Sequence, residues 1–385
     1  MRVLTLLAFL VAFLSNQPDT PAQSKPFEML DVFDLQYASD PQIRPQGDWI
    51  VYRRMGFDIL EDRSIGNLWM IRTDGSGHQK MTSREVAEYS PRWSPAGDRL
   101  AFVSRTDEGA EIYMYWLESG RYARITQLPG SPSALSWSPD GQQLAFTMNV
   151  PADAPVLAKL PKKPKNAKWA GAPRITDRLY HEADGRGYIP PGFNHVFVIP
   201  AAGGAARQVS SGDWSHRGPL SWSPDGAMIY LTSNRSEDWE YDFRNSEVYA
   251  LQVATGQMEA LTDSQGPDNG PVVSPDGQYI AYRGYTDRRQ AHQVTELRLM
   301  KADGSDKEVL TPSLDRNVSG LTWDSKNRGI FFSYDDKGNS KIGYVSLNGK
   351  VSKLADNLGG TSIGRPYGGG SFSVSTDGTL AYTFT

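Results

Sequence analysis

Cysteine is absent from the 385-residue sequence, so the chain can form neither a disulfide bond nor a lipid-modified cysteine. Histidine is scarce, and its five positions show none of the spacings typical of metal ligands. The formal net charge of −4 is spread without long blocks of one sign, which excludes the basic footprint of a nucleic-acid-binding protein. No apolar run is long enough to span a bilayer comfortably. We therefore expect no metal, no nucleic-acid partner and no stable membrane span.

Sequence motifs of catalysis and nucleotide binding are missing as well. There is no P-loop, no GxGxxG after a strand, and no GxSxG nucleophile elbow. The nearest match to the elbow, Gly369 to Ser373, lacks the final glycine. The sequence therefore predicts no catalytic residue and no cofactor in this chain.

The first residues have the pattern of a targeting segment. Arg2 supplies a positive start, Val3 to Leu14 form a short apolar run, and Thr20 to Ala22 offer small residues before a cleavage point. We expect residues 1–22 to be a signal peptide, 23–40 a lead-in, and the protein to be exported to the periplasm or secreted. An uncleaved interfacial anchor is the alternative.

The stretch LSWSPDGQQLAFT, Leu135 to Thr147, predicts a β-hairpin. Pro139 presets φ for the second position of a tight turn, Asp140 tolerates the third, and Gly141 accepts the exit conformation. The flanking residues alternate and are rich in aromatic and β-branched types, as in strands.

Close copies of this hairpin recur along the chain. The copies are IRPQGDWIVY from Ile43, WSPAGDRLAF from Trp93, WSPDGQQLAF from Trp137, WSPDGAMIYL from Trp222, VSPDGQYIAY from Val273, WDSKNRGIFF from Trp323 and VSTDGTLAYT from Val374. A repeat of about 40 to 50 residues is typical of propeller blades. Between the copies lies a second hairpin, such as EIYMYWLESGRYARIT, which completes a blade of four strands.

These repeats predict an all-β fold, a seven-bladed β-propeller of four-stranded antiparallel blades at residues 41–385. The repeated tryptophans are expected to pack between blades rather than to stack on a ligand; they are Trp93, Trp137, Trp222 and Trp323. The last blade is expected to be incomplete, because Val374 to Thr385 supply only its first hairpin. Closure by an N-terminal strand from Pro26 to Ala38 would add one strand where two are missing.

The longest interval between copies contains an insertion in the third blade, at about residues 150–194. Its first part holds five prolines and a lysine-rich run, Lys159 to Lys168, which oppose a buried sheet. HVFVIPAAGGAARQVS, from His195, fits the outer hairpin that the third blade still needs. We expect an irregular insertion that projects from one face; an eighth blade around Asp184 and Gly185 is the alternative.

Four segments together resemble the N-terminal propeller of the prolyl oligopeptidase family of serine peptidases, in its acylaminoacyl-peptidase and dipeptidyl-peptidase 5 branch. They are the run from Phe27 to Tyr52, the WSPDG hairpins, RLYHEADGRGY at Arg178 to Tyr188, and LTSNRSEDWEYDFRNSEVYAL at Leu231 to Leu251. The resemblance implies that the propeller restricts access of peptide substrates to a C-terminal α/β-hydrolase domain, which would carry the catalytic residues. We expect two further strands and that domain to lie beyond Thr385, the chain being a truncated product.

The predicted function is therefore a substrate-gating, noncatalytic domain of an exported serine peptidase. A freestanding periplasmic propeller that binds proteins, similar to that of the Tol system, is the alternative. A propeller enzyme with its site in the central funnel is disfavoured, because no metal or acid–base constellation is present.

One acidic and aromatic cluster is the candidate substrate-binding site: Glu237, Asp238, Trp239, Glu240 and Tyr241. A carboxylate can hold the ammonium group of a peptide amino terminus by charge-assisted hydrogen bonds. A solvated loop between strands is the simpler interpretation of the same residues.

Overall fold

The structure, a computed structural model, describes residues 26–153, 158, 161–171, 174–185, 187–360 and 369–384. The expected signal peptide at residues 1–22 lies outside the described residues. Within those residues the fold is all-β apart from one 3₁₀ helix, Met29–Asp34. No helix among them is both long and apolar enough to cross a membrane.

The described strands form six four-stranded antiparallel sheets and two smaller sheets. Blades 1 to 3 contain β1 (Tyr37–Ile43), β2 (Trp49–Asp58), β3 (Arg63–Arg72), β4 (Gln79–Lys80), β5 (Glu88–Trp93), β6 (Arg99–Thr106), β7 (Gly109–Trp116), β8 (Arg121–Arg124), β9 (Ser133–Trp137), β10 (Gln143–Pro151), β13 (Gly192–Pro200) and β14 (Arg207–Gln208). Blades 4 to 6 contain β15 (His216–Trp222), β16 (Met228–Ser233), β17 (Glu247–Gln252), β18 (Met258–Ala260), β19 (Asp268–Val273), β20 (Tyr279–Gly284), β21 (Glu296–Lys301), β22 (Glu308–Val309), β23 (Val318–Trp323), β24 (Gly329–Asp336), β25 (Asn339–Ser346) and β26 (Val351–Leu358). The smaller sheets are β11 (Glu182–Ala183) with β12 (Gly187–Tyr188), and β27 (Phe372–Val374) with β28 (Leu380–Tyr382).

The predicted hairpins are confirmed. Every WSPDG-type turn joins the first and second strands of one sheet, and strands three and four follow in order. At the opening motif, Gly141 has φ +68°, and Asp140 accepts hydrogen bonds from Ser138 Oγ (2.6 Å) and the Gln142 N–H (3.0 Å). The predicted roles of Asp140 and Gly141 in closing the turn are therefore confirmed.

The sheets form a ring, because the first strand of each sheet contacts the first strands of its neighbours. β1, β5, β9, β15, β19 and β23 follow one another in this way, and β27 contacts both β23 and β1. The first strands therefore surround the ring axis, and the face that carries the WSPDG turns lies opposite the face that carries the connections between second and third strands.

Within the described part of the chain, five apolar cores lie between consecutive blades. Between blades 1 and 2, for example, Leu68 and Met70 pack against Phe102; between blades 3 and 4, Val196 and Val198 pack against Leu231. The repeated tryptophans belong to these contacts: Trp137, Trp222 and Trp323 are 9%, 5% and 8% exposed, while Trp93 is half-buried. The prediction that they pack between blades is confirmed.

The expected all-β propeller is confirmed with six four-stranded blades. In place of a seventh four-stranded sheet the described residues contain only β27 and β28. This sheet is bonded to blade 1, where the Ile43 N–H donates to Ser373 Oγ (2.8 Å) and the Thr376 N–H to the Pro45 carbonyl (2.9 Å). Residues 29–34 form a 3₁₀ helix against β2, so the alternative of an N-terminal strand that completes the β27–β28 sheet is wrong for these residues.

The chain leaves the third blade after β10 and returns in β13. These strands pair over their full length, from Gln143 with Pro200 to Pro151 with Gly192, so residues 152–191 form the intervening connection. The segment from His195 supplies strand three of this blade, as the sequence predicts. The connection includes the small β11–β12 hairpin. Several of its residues, including the first two of the Lys159 to Lys168 run, lie outside the described residues.

Candidate functional site

Two connections on one face of the ring are longer than their counterparts. In blade 2 only Asp107 and Glu108 join the second and third strands, whereas residues 152–191 and 234–246 do so in blades 3 and 4. Because blades 3 and 4 are neighbours, the two connections emerge side by side.

Aromatic contacts tie the two connections together. Tyr180 of the first lies edge-on to Phe243 of the second, with ring centroids 6.0 Å apart. At the base, Phe193 meets Trp239 edge-on at 6.3 Å, and the Arg178 guanidinium lies 4.5 Å from the Phe193 ring centroid. Edge-to-face pairs of this kind each add about 0.5–1.5 kcal/mol beyond burial. The two segments therefore form one surface, which we call the blade 3–4 surface (residues 174–193 and 234–246).

The 234–246 connection is held by its own hydrogen bonds. Asn234 donates from Nδ2 to the Asp242 carbonyl (2.7 Å) and accepts from Ser236 Oγ (2.9 Å). The Tyr241 and Asp242 N–H groups both donate to the Asp238 carbonyl, at 2.8 and 2.9 Å. These bonds fix the turn that displays the predicted site residues.

The five predicted site residues lie on this turn but do not all face the same way. Glu237 and Asp238 are exposed, and neither forms an ion pair with the described residues. Tyr241 is 77% exposed. Trp239 and Glu240 are half-buried, and the enclosed Glu240 Oε1 has no hydrogen-bond partner among the described residues. Two carboxylates and a phenol are thus available to a ligand, and the tryptophan anchors the turn.

A cavity of about 650 Å³ lies where the inner strands of blades 2, 3 and 4 face the axis. Its wall includes Arg92, Ser133, Thr147, Asn194, His216 and Arg217. Asn194 and His216 lie near the beginnings of β13 and β15, on the side of the insertion, whereas Thr147 lies in the middle of β10. The cavity wall therefore extends to the base of the blade 3–4 surface, and its volume falls in the range of ligand sites.

His216, one member of a buried histidine pair, forms part of this wall. The Asn194 carbonyl can only accept, so His216 donates to it from Nδ1 (3.0 Å), and Ser210 Oγ lies 3.3 Å from the Nδ1 atoms of both His195 and His216. His216 is fully buried and its Nε2 has no partner among the described residues. Burial lowers the pKa of His216 to about 4 and also lowers that of His195, so both rings are neutral at pH 7.

Sequence reasoning missed the residues that complete the site. Tyr180 and Arg178 fall in the RLYHEADGRGY segment, but only the adjacency of blades 3 and 4 shows that they meet 234–246. Arg217 and Asn194 carry no motif. Within the described residues no group of three or more His, Asp or Glu side chains is arranged to hold a metal ion.

The ring of four-stranded blades defines this chain as a β-propeller, and comparisons with known proteins narrow the class. Two family models match: the TolB beta propeller domain over residues 59–156, and the dipeptidyl peptidase IV (DPP IV) N-terminal region over residues 188–288. The second match begins at the end of the insertion and contains the 234–246 connection.

Curated relatives and solved structures extend these matches over most of the chain. Dipeptidyl-peptidase 5 of Porphyromonas gingivalis is 25% identical over 336 residues, which are 83% of this chain and 48% of that protein. The chain spans half or less of the length of the first curated relatives it matches.

Among solved structures, acylaminoacyl peptidase of Pyrococcus horikoshii has a TM-score of 0.63 at 15% identity, covering 84% of this chain and 47% of that one. The β-propeller domain of the Trilobed protease from Pyrococcus furiosus has a TM-score of 0.55 at 15% identity, covering 83% of each. At such identities these likenesses show the fold alone. The DPP IV-type region and the dipeptidyl-peptidase 5 relative support a propeller like those of the prolyl oligopeptidase-family peptidases.

Proposed function

We propose that this propeller gates and docks peptide substrates for an exported serine peptidase of the prolyl oligopeptidase family and is noncatalytic alone. One observation carries the proposal: the long connections of blades 3 and 4 meet beside a cavity that opens at the ring axis. A peptidase relative that aligns with 83% of the chain supports it further. The TolB-type match spans residues 59–156, with two repeats of the shared hairpin, and gives a Tol-like role no comparable support.

Glu237 and Asp238 are the proposed contacts for a peptide amino terminus. Both side chains are exposed on a turn with fixed backbone, so binding an ammonium group costs little reorganisation. Tyr241 offers a ring for an adjacent apolar side chain, Trp239 holds the turn against Phe193, and Glu240 stands between them.

β27 and β28 are, in this proposal, the inner half of a seventh blade. Ile50, Tyr52, Trp69 and Ile71 of blade 1, on the side away from blade 2, stay half-exposed, whereas the middle residues of β6 in blade 2 are buried on both sides. Two further strands beside β28 would cover that face.

The proposed protein context follows the curated relatives. Residues 1–22 would direct export, 23–40 lead in, and 41–385 form the propeller, with a C-terminal α/β-hydrolase domain as its partner in the same peptidase. This context agrees with the chain's coverage of 48% of the dipeptidyl-peptidase 5 relative.

The proposed function is tested by binding of short unstructured peptides to the purified chain, measured by fluorescence anisotropy with a C-terminal dye. The double variant Glu237→Gln/Asp238→Asn should weaken binding of peptides with a free amino terminus about tenfold, equivalent to ~1.4 kcal/mol, and leave N-acetylated peptides unchanged. The matched control Glu118→Gln/Glu259→Gln changes two exposed carboxylates outside the blade 3–4 surface and should have no effect. Equal binding of free and acetylated peptides to the wild-type chain would contradict the assignment of these two carboxylates.

A further inference from the structure

We propose that the cavity at the ring axis is an anion subsite in which Arg217 binds a carboxylate group of a peptide. The inference rests on the proposed function only for the peptide nature of the ligand. The carboxylate could be a peptide carboxyl terminus or an acidic side chain.

Arg217 is a long, charged side chain at a repeat position that mostly holds small polar residues. Each inner strand has an irregularity in its pairing with the second strand, and one residue stands directly before it: Ser39, Tyr89, Ser133, Arg217, Asn269 and Ser319. Four of the six are small and polar. Ser133 Oγ lies 2.8 Å from Thr147 Oγ1, and Ser319 Oγ lies 2.8 Å from Ser333 Oγ. These side chains bind the neighbouring strand of their own blade.

Arg217 makes no such bond. Its pairing partner is Thr232, and within the described part of the chain its guanidinium has neither a hydrogen bond nor an ion pair. The backbone around it also departs from the repeat: three residues separate the paired positions Arg217 and Ser221, where two separate Tyr89 and Arg92. The fold does not use this arginine, and departures from an otherwise consistent repeat are expected at functional positions.

The charge of the cavity is positive in a chain whose formal net charge is −4. The lining includes Arg92 and Arg217 and no carboxylate. Arg92 is already paired, because its Nη1 lies 3.0 Å from Asp40 Oδ2. Arg217 is exposed, which leaves it as the unpaired charge of the wall. A concave, partly apolar wall focuses the field of such a charge toward an anion.

The neighbouring groups suit a carboxylate better than a phosphate or a metal-bound ligand. A guanidinium matches the two oxygens of a carboxylate with parallel N–H donors. Asn194, half-buried on the same wall, carries a side-chain amide with no hydrogen bond in the described chain. His216 stays neutral at pH 7, so it adds no second charge. One unpaired cation with an amide donor is a site for a single negative charge.

The experiment separates this site from the amino-terminal contacts. The probes are N-acetyl-tetra-alanine as the free acid, the same peptide as its C-terminal amide, and N-acetyl-Ala-Asp-Ala-Ala amide, each titrated into the wild-type chain by calorimetry. Because all three are acetylated, the outcome does not depend on Glu237 or Asp238. The acid should bind about tenfold more tightly than the amide. If the aspartyl peptide binds like the acid, the site also accepts acidic side chains. If it binds like the amide, the site is specific for the carboxyl terminus.

Arg217→Gln should abolish the difference between acid and amide, and Arg217→Lys should keep part of it, since the charge remains without the planar fork. Arg121→Gln, an exposed arginine on outer strand β8, is the matched control and should bind like the wild type. Thermal unfolding midpoints of all variants should stay near that of the wild type, because Arg217 is exposed. Equal binding of acid and amide, or a difference that persists in Arg217→Gln, overturns the proposal.

Discussion

We call the interface between two neighbouring blades a joint. The two joints that flank blade 3 differ in the hydrogen bonds that corresponding residues make. At the joint between blades 2 and 3, Trp137 Nε1 donates to the Arg92 carbonyl at 2.9 Å. Trp93 and Trp323 make the equivalent bond to Gln42 and Val272. At the joint between blades 3 and 4 the corresponding acceptor would be the Ser136 carbonyl, but Trp222 Nε1 is buried and has no partner in the described chain.

The polar contacts of the two joints differ in the same way. At the joint between blades 2 and 3, Thr126 Oγ1 accepts from the Ile112 N–H and donates to Glu111 Oε2 at 2.5 Å. At the joint between blades 3 and 4, Ser210 Oγ accepts from the Val196 N–H and faces two imidazoles.

The difference shows where the repeat has been modified. Among the described residues, the first joint satisfies its polar groups, while the second leaves Trp222 Nε1 and His216 Nε2 without partners. The second joint also lies between the two blades that carry the long connections. Buried groups without partners are costly, so the second joint gives up stability at the place where the blade 3–4 surface is built.

The largest expected effect is the pH dependence of the joint between blades 3 and 4. His216 has a pKa of about 4 in the folded chain and about 6.5 when unfolded, so below pH 6.5 the unfolded chain takes up a proton that the folded chain refuses. Stability is therefore fully present above pH 6.5 and is lost as the pH falls toward 4. In urea titrations across this range, His216→Asn, whose amide can still donate to Asn194, should remove on the order of 3 kcal/mol of this loss at pH 4.

Charged and titratable groups around His195 and His216 also affect their pKa values. His195 has a lowered pKa from burial, which Asp213 partly offsets, and Arg235 and His195 both oppose protonation of His216. The exposed His292 serves as the control, and His292→Asn should follow the wild-type curve. A His216→Asn curve parallel to the wild type down to pH 4 would refute a neutral His216 as the source.

The next effect compares the two tryptophans directly. Phenylalanine keeps most of the apolar contact and removes the indole N–H. Trp137→Phe breaks a hydrogen bond and leaves the Arg92 carbonyl without its donor, whereas Trp222→Phe removes an N–H that is already unpaired. Trp137→Phe should cost about 1 kcal/mol more in free energy of unfolding than Trp222→Phe. Equal losses in chemical denaturation would mean that the unpaired indole is satisfied in solution.

The smallest effect on stability should come from removing the insertion. Pro151 and Gly192 are partners across β10 and β13, so an Asn-Gly turn in place of residues 152–191 can close the hairpin. The free energy of unfolding should change by less than about 1 kcal/mol, since the cost is limited to contacts such as Tyr180 with Phe243. Protease should cut the wild-type chain first within residues 152–191 and leave the shortened variant intact; protection around residues 161–168 would contradict the expected projecting insertion.

The sequence was sufficient for the features that local chemistry decides. Ser-Pro-Asp-Gly specifies its own turn through Pro139, the Asp140 side chain and the positive φ of Gly141, so the hairpins and their recurrence predict the blades. The Phe243 contact and the cavity around Arg217 could not be read in the same way, because they depend on which blades become neighbours and how the inner strands bend. Those bends place Ser90 and Ala134 at φ +53° and +51°, conformations that their residue types disfavour and that ring geometry imposes.

The sequence singled out the turn that carries the candidate site but did not show how its side chains are arranged. Glu237, Asp238 and Tyr241 reach solvent, but Trp239 is half-buried and packs against Phe193. Sequence spacing cannot distinguish these two environments. The number of four-stranded blades likewise depends on which strands pair in space, which the hairpin motif alone does not report.

Photocrosslinking of a bound peptide tests the central claim most directly. A short unstructured peptide with a free amino terminus and a benzophenone side chain is bound to the wild-type chain, irradiated, and the adducts are mapped by mass spectrometry. Adducts concentrated in residues 174–193 and 234–246 and on inner strands β9 and β15 are predicted, and an excess of unlabelled peptide should abolish them. Adducts concentrated on the opposite face, at the WSPDG-type turns such as 138–141 and 274–277, would contradict the account.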